Sequence, residues 1–481
     1  MKSTKWNRVA LLGAVALLLA ACSAPLFEAD EESWRPSFSR SASVSTAGDY
    51  LVVYRSGPLP ERVRARIEAA GGTVVREIPQ IGVASVRSTN PGFADAASSI
   101  VGITHAGPDL MLTLDLPEAQ IIGDGLDADG LDVEGMEVND NDLYETYQWD
   151  IKRVGGHADT WAIQKGAGAV VAVLDTGVYA THPDLEPNYA YGTDFTDITV
   201  PLPPGWIMWD QGSPQDYSGH GTHVAGAIAG AITSGRIIGV APEASIANYK
   251  VLVSVLVPDG SGYMPSGIGY LSWILGGIVT AADDCVHVIN MSLGGGLWMN
   301  EPGGAAAYVA WLRATQYARQ QGALVVAASG NWGLDVSRIR PVFFVPSGTP
   351  AALSVNATGP DDSLADYSNY GSANTRVVAP GGDRSAPWSS LVLGANSPLG
   401  LWKHGDYGPL YVPLLGTSFA APKVAGVAAL IYAHNPGISP AQVETLLMQT
   451  ADPVGGPGFD PKLGHGIVDA YAALTSPRIA R

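Results

Sequence analysis

The sequence predicts an α/β protein with a mostly parallel central sheet, preceded by a smaller α+β domain. The chain has 481 residues, 46% of them hydrophobic and only 15% charged, a composition that favours a large buried core and excludes a disordered chain. Beyond residue 148, short apolar runs alternate with segments of helical periodicity. Most of these runs lack the polar alternation of a half-exposed strand, so we expect helices to cover both faces of the sheet.

The N-terminus has the features of a secretory signal. Lys2, Lys5 and Arg8 precede an apolar run over 9–21, which is too short to span a bilayer as a helix. The run ends in Leu19-Ala20-Ala21-Cys22. This ending resembles the lipobox of bacterial lipoproteins and implies lipidation of Cys22; the alternative is an ordinary signal peptide that contains a cysteine. We predict a lipoprotein-type signal over 1–22 and a Ser-rich tether over 23–48.

Residues 49–116 are predicted to form a small domain. Apolar runs indicate strands over 50–54, 73–78, 82–86 and 111–114. Helical spacing indicates helices over 59–70 and 94–100, the first of them ending at Gly71-Gly72. This βαββαβ order is that of the ferredoxin-like arrangement.

Charge separates the two domains and limits the partners. Residues 117–147 carry many acidic and no basic side chains, which is typical of a solvated, flexible linker. The acids of 127–132 do not have the spacing of an EF-hand calcium loop. The whole chain has a net charge of −18, which argues against nucleic acid as a partner because phosphate binding needs clustered Lys and Arg.

Residues 148–481 are predicted to form the larger domain, with buried strands over 169–174, 245–252, 286–291, 323–328 and 353–357. In parallel sheets of this kind, functional groups gather at the carboxyl ends of the strands. Cys285 is the only cysteine besides Cys22 and begins a strand-like run. We expect it to be a buried, inert thiol.

Asp175 is the first candidate for chemistry, because it directly follows the apolar residues 171–174. Asp175-Thr176-Gly177 also matches the aspartic-protease signature, but that mechanism needs two carboxylates that share a proton. No second Asp-Thr-Gly or Asp-Ser-Gly occurs in the chain. A single-lobed homodimer would be required to keep this alternative.

Three further candidates follow Asp175 along the chain. His220 lies between two glycines, and His223 follows at a spacing that differs from the His-Glu-x-x-His pattern of zinc proteases. Asn331 directly follows an apolar run, where its amide can donate to an anionic oxygen, although Asn there also forms turns. Ser418 begins a helical pattern, so the helix dipole favours negative charge beside it; the plain alternative is an N-cap serine.

Together these residues, in the order Asp, His, Asn, Ser, resemble the subtilisin family, for which the order Asp, His, Ser is characteristic. The resemblance covers about 148–475 and extends to stretches such as 181–185, 239–242, 288–295 and 464–470. It implies a subtilisin-like three-layer fold and an exported serine endopeptidase that hydrolyses proteins through an acyl-enzyme. Residues 49–116 resemble the family's inhibitory propeptide.

The resemblance also implies roles for individual residues. Asp175, His220 and Ser418 would form the catalytic triad, and Asn331 would stabilise the oxyanion. Substrate would lie as a strand between Gly267-Ile268-Gly269 and Ser292-Leu293-Gly294. Three residues depart from the family pattern. Phe419 stands where Met is usual, and Trp332 stands where a polar residue is frequent, near the expected pocket for the side chain before the cut bond. Thr233 stands where calcium-binding members have Asn.

The remaining expectations concern metal, partners and location. Gln148 and Asp184 match a structural calcium site of the family, with no cofactor needed for catalysis. The partners would be protein substrates, the chain's own propeptide and, through lipid on Cys22, a membrane. The precursor would then sit at the bacterial cell envelope and the mature enzyme would be secreted. The alternative is a non-catalytic surface lipoprotein that uses the same fold for binding.

Overall fold

A computed structural model describes residues 38–39, 48–114, 142–232, 236–258, 262–371, 375–384, 388–400, 410–456 and 458–477. All of them belong to one compact unit, Ser37–Arg481. The predictions for Cys22, for the signal and for most of the tether and the acidic linker lie outside the described residues. Within these ranges, no helix has the length and apolar character needed to cross a bilayer.

The N-terminal domain is a four-stranded antiparallel sheet with two helices on one face. Helix α1 buries Val63 and Ile67, four residues apart on one face, and ends before Gly71, whose φ of 88° favours glycine. The sheet order β3-β4-β2-β5 is the ferredoxin-like order. The elements are β1 Phe38–Ser39, β2 Gly48–Tyr54, α1 Glu61–Ala69, β3 Gly72–Ile78, β4 Val83–Ser88, α2 Phe93–Ser98, β5 Ile103–Pro108 and β6 Met111–Leu114.

One strand prediction for this domain is wrong. The fourth strand of its sheet is β5, which pairs antiparallel with β2, and not 111–114. The sequence of β5, Ile-Thr-His-Ala-Gly-Pro, carries little apolar signal, so periodicity did not reveal it. Residues 111–114 do form a strand, β6, but it pairs with a strand of the larger domain.

The two central strands of this sheet, β2 and β4, are buried on both faces over most of their length. Val52 and Tyr54 of β2 point into that domain's own core, whereas Leu51 and Val53 join a core cluster of the larger domain. The guanidinium of Arg313 donates hydrogen bonds to the carbonyl oxygens of Tyr54, at 2.5 Å, and Ile81, at 2.9 Å. Alternate side chains of β2 are therefore buried in two different hydrophobic cores, one in each domain.

The larger domain is built on a seven-stranded sheet in the order β18-β17-β15-β13-β7-β10-β8. Every pair in it is parallel, as the apolar runs predicted, and helices cover both faces. The strands are β7 Val170–Asp175, β8 Tyr189–Asp194, β9 Ile207–Met208, β10 Ser245–Lys250, β11 Val253–Pro258, β12 Tyr263–Tyr270, β13 Val288–Met291, β14 Gly295–Trp298, β15 Leu324–Ala328, β16 Val342–Val345, β17 Ala352–Thr358, β18 Thr375–Pro380, β19 Val392–Ala395 and β20 Tyr411–Leu414.

The helices of this domain differ in how deeply they lie. Helix α9, rich in Ala and Val, is buried along nearly its whole length, because it packs against the parallel sheet and against the helix that begins at His220. The helices are α3 Asp142–Tyr147, α4 Trp149–Arg153, α5 Ala158–Ile163, α6 His220–Ala229, α7 Leu271–Asp283, α8 Gly304–Gln320, α9 Thr417–His434, α10 Pro440–Thr450 and α11 Ala470–Leu474, with short 3-10 turns at Glu186–Asn188 and Trp388–Ser390.

A second, antiparallel sheet links the two domains. Its order is β1-β6-β12-β11-β9, so β6 of the N-terminal domain lies between β1 and β12. The strand predicted over 245–252 ends at Lys250, and the chain then enters the hairpin of β11 and β12.

Two other expectations need correction. The linker predicted over 117–147 ends before α3, because Leu143 and Tyr144 are buried in the main core and the Tyr144 hydroxyl donates to the Gly156 carbonyl oxygen at 2.6 Å. Cys285 is exposed, because it turns the chain after α7 with a φ of 57° and so does not enter the following strand.

Candidate active site

Asp175 and His220 meet at the carboxyl edge of the parallel sheet. Asp175 is the last residue of β7 and is fully buried. His220 is the first residue of α6, and its Nδ1 lies 2.7 Å from Asp175 Oδ1. Gly221 permits this approach, since a Cβ there would collide with the carbonyl oxygen of Gly177. The bond fixes both the orientation and the tautomer of the imidazole, with the proton on Nδ1.

Asp216 is a buried organiser of this site that the sequence analysis missed. Its carboxylate is fully buried and holds the loop before His220 together with the first turn of α6, accepting five hydrogen bonds of 2.6–2.9 Å from Thr176 Oγ1, Ser218 N, Gly219 N, Thr222 N and Thr222 Oγ1. Thr176 Oγ1 in turn accepts from Gly221 N at 3.0 Å. The only sequence signal was a lone Asp four residues before His220.

Ser418 lies in the first turn of α9 and exchanges two hydrogen bonds with Ser292. Ser418 Oγ donates to the Ser292 carbonyl oxygen at 3.1 Å, and Ser292 Oγ donates to the Ser418 carbonyl oxygen at 2.6 Å. The second bond compensates for Pro422, which has no N–H to offer the Ser418 carbonyl within the helix. His220 Nε2 is buried without a hydrogen-bond partner among the described residues, and the Ser418 hydroxyl is bonded to Ser292 and not to His220.

Phe419 connects Ser418 to the imidazole. Its ring centroid lies 5.4 Å from that of His220 and 4.3 Å from that of His223. Burial, followed by the nearby charges of Lys423 and His220, lowers the pKa of His223 to about 3. His223 is therefore neutral, and its Nε2 lies 3.3 Å from the Val392 carbonyl oxygen, so the two histidines do not form a metal pair.

Asn331 faces the N-terminus of α9. Its Oδ1 accepts hydrogen bonds from Thr417 N at 2.9 Å and Thr417 Oγ1 at 2.8 Å. Because Thr417 N can only donate, the atom that faces it must be the oxygen. The amide N–H₂ of Asn331 is then left for another acceptor, next to the helix N-terminus that carries Ser418. The arrangement favours an anionic oxygen at this point.

Ser292, Asn331, Thr417 and Ser418 line one cleft. Trp332 also lines it and packs against Phe344, with ring centroids 5.8 Å apart. Asn369, which the sequence analysis missed, holds the loop of Trp332, because its Oδ1 accepts from Trp332 N at 3.2 Å and its Nδ2 donates to the Ser329 carbonyl oxygen at 2.9 Å.

The two segments predicted to flank a substrate differ in what they contact. Gly267-Ile268-Gly269 pairs antiparallel with the residues Leu114, Thr113 and Leu112 of β6. Ser292, Leu293 and Gly294 line the cleft beside Leu114. No strand pairing joins them to β6 within the described ranges; there the other edge of β6 pairs with β1.

Gln148 and Asp184, the residues predicted to bind calcium, both contact the segment over 237–238. Gln148 Oε1 accepts from Ile238 N at 2.7 Å. Asp184 Oδ2 accepts from the Tyr411 hydroxyl at 2.8 Å and from Ile237 N at 3.3 Å. Asp184 Oδ1 is buried without a hydrogen-bond partner among the described residues, so one carboxylate oxygen is left for a cation. Calcium needs six to eight oxygen ligands, and its binding here stays a prediction. No group of three or more His, Cys, Asp or Glu able to hold a metal exists in the part of the chain that the structure describes.

The subtilase family model matches residues 166–466, more than half of the chain. The chain belongs to the subtilase family. It is therefore a serine-type endopeptidase of the subtilisin-like kind, and the aspartic-protease alternative is excluded by the family and by the pairing of Asp175 with His220.

Curated proteins similar to this chain are also subtilisin-like proteases. The chain is 36% identical to M-protease of Shouchella clausii over 331 residues, 69% of this chain and 70% of that protein. It is 35% identical to subtilisin Savinase of Lederbergia lenta over 329 residues, 68% of this chain and 99% of that protein. Fervidolysin of Fervidobacterium pennivorans is 30% identical over 450 residues, 90% of this chain and 59% of that protein.

Solved structures of similar fold match about nine tenths of this chain. The crystal structure of fervidolysin matches 92% of this chain and 62% of its own, with a TM-score of 0.64 and 26% identity. The epidermin leader peptide processing serine protease of Staphylococcus aureus matches 90% of this chain and 99% of its own, with a TM-score of 0.68. At 23% identity the latter likeness concerns the fold alone.

Proposed function

We propose that this subtilase cleaves peptide bonds with Ser418 as nucleophile, His220 as general base and Asp175 as its partner. The Ser418 hydroxyl turns from the Ser292 carbonyl toward His220 Nε2 and attacks the peptide carbonyl carbon while the imidazole takes its proton. Asp175 stabilises the imidazolium that forms. The proton then goes to the leaving amine, and an acyl-enzyme remains.

Water then hydrolyses the acyl-enzyme, with His220 again acting first as base and then as acid. His220 takes a proton from water, which attacks the acyl carbon, and Ser418 recovers the proton as the acid product leaves. In both steps the negative oxygen would be held by the Asn331 amide N–H₂ and the Ser418 backbone N–H. The fixed orientation of Asn331 by Thr417 means that little reorganisation is needed when that charge develops.

The observation that carries this proposal is the 2.7 Å contact between His220 Nδ1 and Asp175 Oδ1, buried beside a helix N-terminus that carries a serine. The test is labelling by a fluorophosphonate, which reacts only with an activated serine. We expect labelling of the mature wild type and none of Ser418→Ala. Ser363→Ala is the matched control, since this exposed serine does not line the cleft and the variant should keep the label. A protein that is folded but never labelled would support the alternative of a non-catalytic binding lipoprotein.

We also propose that residues 49–116 act as an inhibitory propeptide of residues 148–481. Strand β6 lies along β12 and brings Leu114 into the cleft with Ser418, where substrate would have to bind. The Leu114 carbonyl oxygen accepts from Ser266 Oγ at 3.0 Å, so it does not occupy the oxyanion position. The peptide bond between Leu114 and Asp115 is therefore not placed for attack. We infer that the bond cut during maturation lies further toward the C-terminus than this one. Ser418→Ala should accumulate the full-length precursor, and self-cleavage by that variant would contradict the proposal.

Location is proposed from the N-terminal sequence. Lipid on Cys22 would hold the precursor at the cell envelope, and cleavage within the acidic linker would release the catalytic domain as a secreted enzyme. Fractionation with an antibody against the catalytic domain tests this. Full-length Ser418→Ala should stay with membranes, and a shorter soluble form should appear only in wild type. Active mature enzyme that is still attached through Cys22 would contradict the release step.

A further inference from the structure

We propose that the cleft carries an additional apolar subsite that selects the side chain at the position now held by Met111. Its wall is formed by one face of β11 and β12 and by the loop over 195–208. The inference rests on the proposed function, because it takes β6 as the stand-in for a bound substrate. The ligand class is an extended peptide with a large apolar side chain at this position.

The register of β6 on β12 shows which side chains share a face. Met111 pairs with Tyr270 and Thr113 with Ile268, whereas Leu112 and Leu114 pair with the glycines 269 and 267. Directly opposite residues in an antiparallel pair point to the same face, and neighbours along a strand alternate. Met111 therefore points away from the face that receives Leu112 and Leu114, which join the core cluster behind the cleft.

Met111 is buried in a cluster of its own. Only 1% of its surface is exposed. The buried apolar residues of its cluster are Val200, Val253, Val255, Ile268, Tyr270 and Trp273. The Tyr270 and Trp273 rings pack edge to face with centroids 5.0 Å apart, which makes one wall rigid. Removal of β6 would leave this apolar surface open to water, so an apolar side chain is favoured there.

The subsite is remote from the bond that is cut. Since the Leu114 carbonyl oxygen is held by Ser266, the cut bond lies beyond Leu114, and Met111 lies three residues further upstream, roughly 10 Å away along an extended strand. Its contribution is therefore to substrate binding and register, and not to proton transfer. A side chain read at this distance favours substrates that are extended over at least five residues before the cut.

The experiment uses mature enzyme obtained from the full-length precursor and synthetic peptides with the sequence of residues 108–122. Mass spectrometry identifies the cut bond and gives kcat/KM for each peptide. Replacement of Met111 by Leu should change kcat/KM by less than about threefold, by Ala should lower it about tenfold, and by Asp should lower it about 100-fold or more. Thr113→Ala, on the half-exposed neighbour of the same face, is the matched control with an expected change below about threefold.

Enzyme variants locate the effect in the wall. Val255→Asp should reduce the preference for Met over Ala to about twofold or less, whereas Tyr263→Ala, at the exposed end of β12, should keep it. If Val255→Asp does not fold, as judged by its melting curve, Val255→Ala should still narrow the preference about threefold. Equal kcat/KM for the Met, Ala and Asp peptides with active wild type would overturn the subsite. Wild type that neither cleaves peptide nor reacts with fluorophosphonate would instead refute the proposed function and, with it, this subsite.

Discussion

Release of the N-terminal domain should depend on pH through Asp109. This carboxyl lies between β5 and β6, is 3% exposed, and its Oδ1 accepts from Ser272 N at the start of α7 at 3.1 Å. Burial raises its pKa from 3.8 to about 7; the hydrogen bonds from Ser272 and the charge of Arg76 oppose the rise, and the charge of Asp49 adds to it.

The sign follows from linkage. The pKa is higher in the assembled protein than in the separated domain, so the assembly binds the extra proton. Its stabilising contribution is complete below pH 4 and is lost as the pH rises through 7. A shift from 3.8 to about 7 corresponds to at most about 4 kcal/mol at pH 8 and above. The cleaved domain should therefore leave faster at alkaline pH.

The assay follows the appearance of peptidase activity after self-cleavage, at pH 5.5 and pH 8.5, with gel filtration to detect the released domain. Wild type should show a long lag at pH 5.5 and a short one at pH 8.5. Asp109→Asn keeps an acceptor for Ser272 N but cannot ionise, so its lag should be long at both values. An unchanged pH dependence in Asp109→Asn would refute the reasoning, because another group would then control release.

Three further perturbations test the site. Phe419→Met should make the enzyme sensitive to peroxide, because a sulfoxide beside the His220 ring is bulky and polar; equal half-lives of the two forms in peroxide would count against this. Tyr411→Phe should lower the free energy of unfolding, measured by urea titration, by about 2 kcal/mol, because it removes a buried hydrogen bond to Asp184. EDTA should lower the melting temperature of wild type, because calcium at Asp184 would bind only the folded state. A melting curve that EDTA leaves unchanged would count against the calcium prediction. Finally, Trp332 in the pocket wall should favour apolar or aromatic side chains before the cut bond, and a peptide library cut mainly after Lys or Arg would contradict that.

The parallel sheet could be predicted because its signal is local. The residues of β15, Leu-Val-Val-Ala-Ala, are all buried, and a continuous apolar run is what a strand covered on both faces requires. The prediction failed at β5, whose sequence contains His, Gly and Pro, because its place in the sheet depends on pairing with β2 and not on its own side chains. The prediction that Cys285 is buried failed for a similar reason, since the turn after α7 exposes this residue.

The sequence by itself identified the candidates for catalysis: Asp175, His220, Asn331 and Ser418 each follow an apolar run or begin a helical pattern, and such positions can be recognised from neighbours along the chain. Only the tertiary structure decided how that chemistry is held and covered. It gave the buried Asp216 carboxylate a hydrogen bond from Thr176, 40 positions away, directed Tyr411 to Asp184, 227 positions away, and paired β6 with β12. Such partners become neighbours only when the cores of both domains close, because burial and not local pattern brings them together.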